Sequence, residues 1–167
     1  MRNIAIGILA VILVSVLLQP LSEFMSITKE KISIGTALTN AARAAKDRSL
    51  EYQFQRDLDA TVNEESFAKY FAGAFEDALN LTWTNKDENS YFLEFKSNDD
   101  KYNDFSISLE FEEEEDWETE QKVTTVKMKA ETEYKFKSKY LQLAEKAGED
   151  VATKLTSERT LILSIKN

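Results

Sequence analysis

Residues Ile4 to Leu18 read I-A-I-G-I-L-A-V-I-L-V-S-V-L-L, an uncharged run diluted only by Gly7 and Ser15. As a helix this run covers about 22 Å at a rise of ~1.5 Å per residue. That falls short of the ~30 Å hydrocarbon core that roughly 20 residues span. Gln19, Pro20 and Leu21 extend it, and the first acid is Glu23. Three readings compete. A cleaved secretory signal needs a small-x-small site after its apolar stretch, and V-S-V-L-L-Q-P-L-S-E offers none outside the apolar core. A buried core helix would have to cover apolar side chains all round its circumference, more than a domain in a 167-residue chain usually achieves. An uncleaved membrane anchor fits best, carried by Ile4, Ile6, Ile8, Leu9, Val11, Ile12, Leu13, Val16, Leu17 and Leu18. Arg2 followed at once by the apolar run is how a signal-anchor begins. We therefore expect a single-pass protein of the cell membrane with its C-terminal domain extracytoplasmic.

Working outward, no loop-forming cluster follows the anchor. Leu21, Met25 (with Phe24), Thr28, Ile32, Gly35, Leu38, Ala42 and Ala45 recur at spacings of three and four, the signature of one helical face. Leu21, Met25, Ile32, Leu38, Ala42 and Ala45 are the expected helix-packing face. Pro20 either kinks a continuous helix or opens a second one as its first residue. With either choice residues 4–50 form a rod approaching ~70 Å. The expected organisation is an anchor over 1–21, an amphipathic helical stalk over 22–50 and an acidic α+β domain over 51–167.

Charge separates the same parts. Residues 1–50 carry six bases and three acids, and the remainder 15 bases and 27 acids. A formal net charge of −9 argues against a nucleic-acid binder that relies on a global positive field. The absence of Cys and His removes thiolate and Ser–His catalysis, disulfides and His/Cys metal sites. Any enzyme would have to work with carboxylates, Lys, Tyr or Ser, and no enzymatic role is expected.

Beyond residue 50 the periodicity changes. Asn63 is placed to cap a helix, with Glu64 and Glu65 at its positive end and Phe67, Tyr70, Phe71, Ala74, Phe75 and Ala78 as a stripe. Such a stripe is more often a face that packs on a sheet than a ligand groove. Period-two alternation marks strands at 91–96, 105–112 and 126–137, with shorter ones at Leu81–Thr84 and Leu161–Ile165. Tyr140, Ala144, Ala147, Val151 and Leu155 suggest a further helix capped by Ser138. The fold class expected is α+β: a long N-terminal helix, transmembrane then amphipathic, followed by an antiparallel β-sheet domain packed with helices.

Chemistry-bearing motifs are few. Asn98, Asp99, Asp100, Asn103 and Asp104 could surround a calcium ion, but the glycine and terminal glutamate of an EF-hand are absent and acids are common in turns. No metal, cofactor-binding or catalytic residue is therefore assigned. Glu112-Glu113-Glu114-Glu115-Asp116 reads as a solvated loop after a strand. No glycine-rich phosphate loop, nucleophile elbow or dinucleotide fingerprint occurs.

The apolar helix behind a very short tail, the proline near its end, the amphipathic continuation and the antiparallel sheet resemble the layout of type IV pilin-like proteins. The stretch L-S-E-F-M-S-I-T-K-E-K-I-S-I-G-T-A-L-T-N-A-A-R-A-A (21–45) is most similar to the TadE-like minor pilins of the tight-adherence (Tad) pilus. The resemblance implies a bacterial structural protein of pilus assembly. Its N-terminal helix would pack against other pilin-like or assembly-platform subunits and membrane lipid, without nucleic acid or cofactor. Pilin precursors are usually cut after a glycine with a glutamate five residues on; here Gly7 precedes Ile8-Leu9-Ala10-Val11-Ile12. The alternative is a membrane-tethered extracytoplasmic binding module with no filament role.

Overall fold

The computed structural model describes residues 2–52, 60–85, 91–98, 102–116, 121–136 and 153–166. Its first element is one unbroken helix, α1 (Arg2–Ser49), which passes through Pro20 rather than restarting there. Proline lacks the N–H that would reach the Val16 carbonyl, so that turn is held by its neighbours. Serine and threonine hydroxyls along α1 donate back to carbonyls one turn earlier, Ser15 to Val11 at 2.8 Å and Thr28 to Phe24 at 3.0 Å. This is how such residues are carried in a helix without a competing turn.

A short hairpin follows, β1 (Leu50–Tyr52) with β2 (Ala60–Val62). Helix α2 (Glu64–Leu79) then starts where expected, the Asn63 side chain accepting the Ser66 N–H at 2.9 Å. It stops at Asn80, whose left-handed backbone (φ 52°) lets its N–H reach the Glu76 carbonyl. Phe67, Ala68, Phe71, Ala72, Phe75 and Leu79 are buried. The stripe is therefore a core face, as anticipated, but Tyr70 and Ala78 point outward. Tyr70 instead lies under the Arg48 guanidinium, 5.9 Å from its ring centre.

The rest is an antiparallel meander, β3 (Leu81–Trp83), β4 (Phe92–Ser97), β5 (Phe105–Asp116), β6 (Gln121–Glu133) and β7 (Lys154–Lys166), paired in chain order. The architecture is α+β, a helix layer on one face of a sheet. Leu93, Phe95, Phe105, Ile107, Leu109, Val126, Met128, Ala130, Leu155 and Leu163 fill the inner face. Phe75 meets Phe95 and Phe105 at ring distances of 5.4 and 5.9 Å, and Phe67 meets Phe111 edge-on at 5.6 Å. Aromatic pairs in this geometry add to what their area burial provides. The outer face is polar, with Lys127–Glu112 at 2.6 Å and Lys129–Glu131 at 2.7 Å. Exposed pairs of this kind contribute about 0–1 kcal/mol each.

Three expectations are corrected. The acidic run at 112–116 is not a loop: it is the end of β5, Glu112 pairing with Thr125, Glu113 with Thr124, Glu114 with Val123 and Glu115 with Lys122. The β-branched partners carry the strand that glutamate's weak preference would not. β4 pairs with β5 from Phe105 to Ser108, and among the described residues no strand lies beyond Glu112–Glu115 on that side, where carboxylates oppose pairing with another strand. Leu155 belongs to β7, opposite Thr132; the remainder of the helix expected around Tyr140, Ala144, Ala147 and Val151 lies outside the described residues, as do Asp99 and Asp100. The boundary at residue 50 does not separate a stalk from a domain, because Ile34, Ala37, Leu38, Ala41, Ala42 and Ala45 of α1 belong to the same core as α2 and the sheet.

Phe71→Ala, which empties the middle of that core, should lower unfolding stability by about 3–5 kcal/mol. Glu110→Gln on the solvated face should change it by less than ~0.5 kcal/mol. Urea denaturation of the micelle-held chain measures both.

Candidate functional site

The feature that sets this chain apart is α1 itself. Ile4, Ile6, Ile8, Leu9, Val11, Ile12, Leu13, Leu17 and Leu18 are all exposed; Val16 lies in the same helix. No other part of the described chain covers them. This helix is long and apolar enough to cross a membrane. Bare apolar side chains on every side of a helix are stable in lipid and not in water.

The expected packing face splits in two. Leu38, Ala42 and Ala45 are fully buried, while Leu21, Met25 and Ile32 are exposed, the last two at 65% and 63%. The cause is a phase error. From Leu21 to Ala45 the chosen residues average fewer than 3.6 per turn, so on a straight helix the stripe drifts by roughly 120° over its length. The stripe that faces the domain is Glu23, Ile27, Glu30, Ile34, Leu38, Ala42, Ala45 and Ser49. Stepping back from Ile34 by three and four residues leads to it, but through two glutamates, which an apolar search passes over.

Those glutamates form a polar base under the domain. Glu23 and Glu30 are each only 6% exposed. The Tyr102 hydroxyl donates to Glu30 Oε2 at 2.6 Å, the short distance of a charge-assisted bond. Tyr134 is buried as well, and among the described residues its hydroxyl makes no hydrogen bond of good geometry; the Ser26 hydroxyl acts on it from α1, against the rise in its pKa. Burial, and then the negative charges of Glu23 and Glu30, push the Tyr134 hydroxyl above its ordinary pKa. Tyr91 is also raised, chiefly because its hydroxyl donates to Glu64 Oε2, at 2.8 Å. The sequence offered no direct sign of these partners, since Tyr102 and Tyr134 are remote from α1 in the chain.

One level higher, α1 comes close to β7. A Cβ at Gly35 would stand 2.5 Å from Arg159 Nη2 and 3.1 Å from Ser157 Oγ. Further on, Lys46 Nζ donates to the Ile162 carbonyl at 2.8 Å. An open groove of about 580 Å³ at the lower end of the sheet is lined by Lys96, Lys135, Lys154, Asp104, Glu131 and Glu133 among others. Its charges balance, and among the described residues no cluster of three potential metal ligands occurs. No known protein family, no curated protein and no solved structure matches this chain.

Tyr102→Phe removes one short hydrogen bond from the buried Glu30 carboxylate and should cost about 1.5–3 kcal/mol. Tyr134→Phe removes a hydroxyl without a hydrogen bond of good geometry and should be neutral or slightly stabilising near neutral pH. The raised Tyr134 pKa has a sign that can be checked. Below the unfolded tyrosine value near ~10 the hydroxyl is neutral in both states and the shift has no effect; stability then falls as pH rises from that value to the folded one. The full chain should therefore lose stability above about pH 10, and Tyr134→Phe should reduce that loss, as followed by denaturation across the alkaline range.

Proposed function

We propose that this protein is a membrane-anchored, pilin-like structural subunit of a pilus or secretion assembly, packing through its N-terminal helix. One observation carries the reading: a single helix is bare and apolar over its first half, and over its second half is the spine of an antiparallel-sheet domain. That division suits a subunit held in the bilayer until its neighbours replace the lipid around it. Leu21, Phe24, Met25 and Ile32, exposed beyond the apolar run, are the side chains available to those neighbours. The domain stands on the extracytoplasmic side in this reading, and acts by position rather than by chemistry.

The alternative, a tethered binding module, is favoured by the fate of Leu38, Ala42 and Ala45. These residues are taken up by the chain's own core and cannot meet a partner. The absence of cysteine makes the two readings easy to separate. Single Met25→Cys or Ile32→Cys variants, oxidised in the native membrane, should give a ladder of cross-linked copies or a cross-link to another subunit. A chain that stays monomeric at both positions, in membranes where the assembly is present, would favour the tether.

A further inference from the structure

The fold sorts charge along α1. Between Leu21 and Ser33 the helix carries two acids and two bases. Both acids, Glu23 and Glu30, are turned into the domain, while both bases, Lys29 and Lys31, are exposed. Burying carboxylates is costly even when they are hydrogen-bonded, so this arrangement is not what solvation alone would select. Its consequence is that the only exposed charges on these turns are the two lysines, set beside the exposed apolar side chains Leu21, Phe24, Met25 and Ile32. Neither lysine enters an ion pair among the described residues.

The level of these lysines follows from the span. About 20 residues of helix cross the hydrocarbon core, which counted from Ile4 ends at Glu23. Lys29 and Lys31 then lie roughly 9 and 12 Å further out at ~1.5 Å per residue. The headgroup layer is about 5–8 Å deep on each side, and a lysine stem reaches back toward it while keeping its ammonium in the polar zone. Exposed Phe24 and Met25 sit between the hydrocarbon and the lysines.

Among the described residues, the domain keeps its surplus of negative charge away from this level. Gly35 lies beside Ser157 and Arg159, and Lys46 meets Ile162, so β7 climbs away from the bilayer as α1 does. β6 is antiparallel to β7 and pairs Lys122 with Lys166 at the far end. Glu112–Glu115, paired with Thr125–Lys122, are therefore at the end remote from the membrane. Near the bilayer the sheet rim balances Lys96, Lys135 and Lys154 against Asp104, Glu131 and Glu133. Arg159 and Glu158, which share a groove with Lys31, offset one another.

We propose that Lys29 and Lys31, which stand on opposite flanks of α1 on either side of the inward Glu30, dock the phosphates of anionic phospholipid headgroups in the bilayer that holds the helix. The proposal rests on the membrane-spanning reading of α1 and is independent of any filament role. It gives the domain a fixed height on the membrane, set by Phe24 and Met25 below and phosphate contacts above.

The test uses the full chain in nanodiscs of mixed phosphatidylcholine and phosphatidylglycerol, with spin-labelled versions of each lipid reporting which is held at the protein surface. Phosphatidylglycerol should be preferred several-fold. Each of Lys29→Gln and Lys31→Gln should reduce the preference by up to about five-fold, the equivalent of ~1 kcal/mol per lysine near a charged surface. Arg43→Gln removes an exposed cation from the same helix about 30 Å beyond Glu23 and should leave the preference unchanged. Inorganic phosphate at constant ionic strength should not compete. Equal retention of both lipids, a loss in Arg43→Gln as large as in the lysine variants, or competition by inorganic phosphate would each overturn the proposal. A chain that elutes apart from the discs overturns the span itself, and the proposal with it.

Discussion

Everything in this molecule depends on how closely the second half of α1 can approach its neighbours. Ala37, Ala41, Ala42 and Ala45 present almost no side chain, and Gly35 presents none where Arg159 and Ser157 lie against the helix. The short side chains let α1 settle beside α2, so that both helices cover one face of the sheet and share the core built on Phe67, Phe71 and Phe75. Because α1 is one continuous helix from Arg2 to Ser49, the packing of its second half also brings the sheet to the end of the apolar half. The domain begins where the apolar run stops, and its lowest layer is the Glu23, Glu30, Tyr102 and Tyr134 cluster.

One helix thus has two kinds of surface. Over Ile4–Leu18 it is bare, apolar and long enough to cross a membrane; over Ile34–Ala45 its apolar side chains are covered by the domain. The turns between mix the two regimes, with Leu21, Phe24, Met25 and Ile32 facing outward while Glu23 and Glu30 face inward. An apolar residue outside and a carboxylate inside, at the same level, reverse the usual arrangement of a protein in water. The reversal is intelligible at the edge of a bilayer, where the outside is lipid or another apolar helix, and the inside is the polar base of a folded domain.

Much of this was legible in the residues. The apolar run, the Asn63 cap, the aromatic stripe of α2 and the alternation of β5 and β6 each carry a local period that tertiary packing preserved. The failures share a cause: side chains whose environment is decided by remote partners. Glu112–Glu115 lie in a strand because Lys122, Val123, Thr124 and Thr125 pair with them. Leu155 fits a helical spacing, but its place opposite Thr132 puts it in β7. The inward stripe of α1 was misphased because a small drift per turn accumulates over a helix of this length. The true stripe also passes through glutamates whose partners, Tyr102 and Tyr134, are far along the chain.

The second half of α1 should unfold with the sheet and not as an independent rod. Native-state hydrogen exchange of the full chain in a bilayer, read by mass spectrometry across 34–49 and 105–133, tests this directly. Amides of Ala37–Ala45 should exchange through the same opening as those of β5 and β6, with the same dependence on denaturant. Exchange of 34–49 at the rate of a solvated helix, while β5 and β6 stay protected, would contradict it.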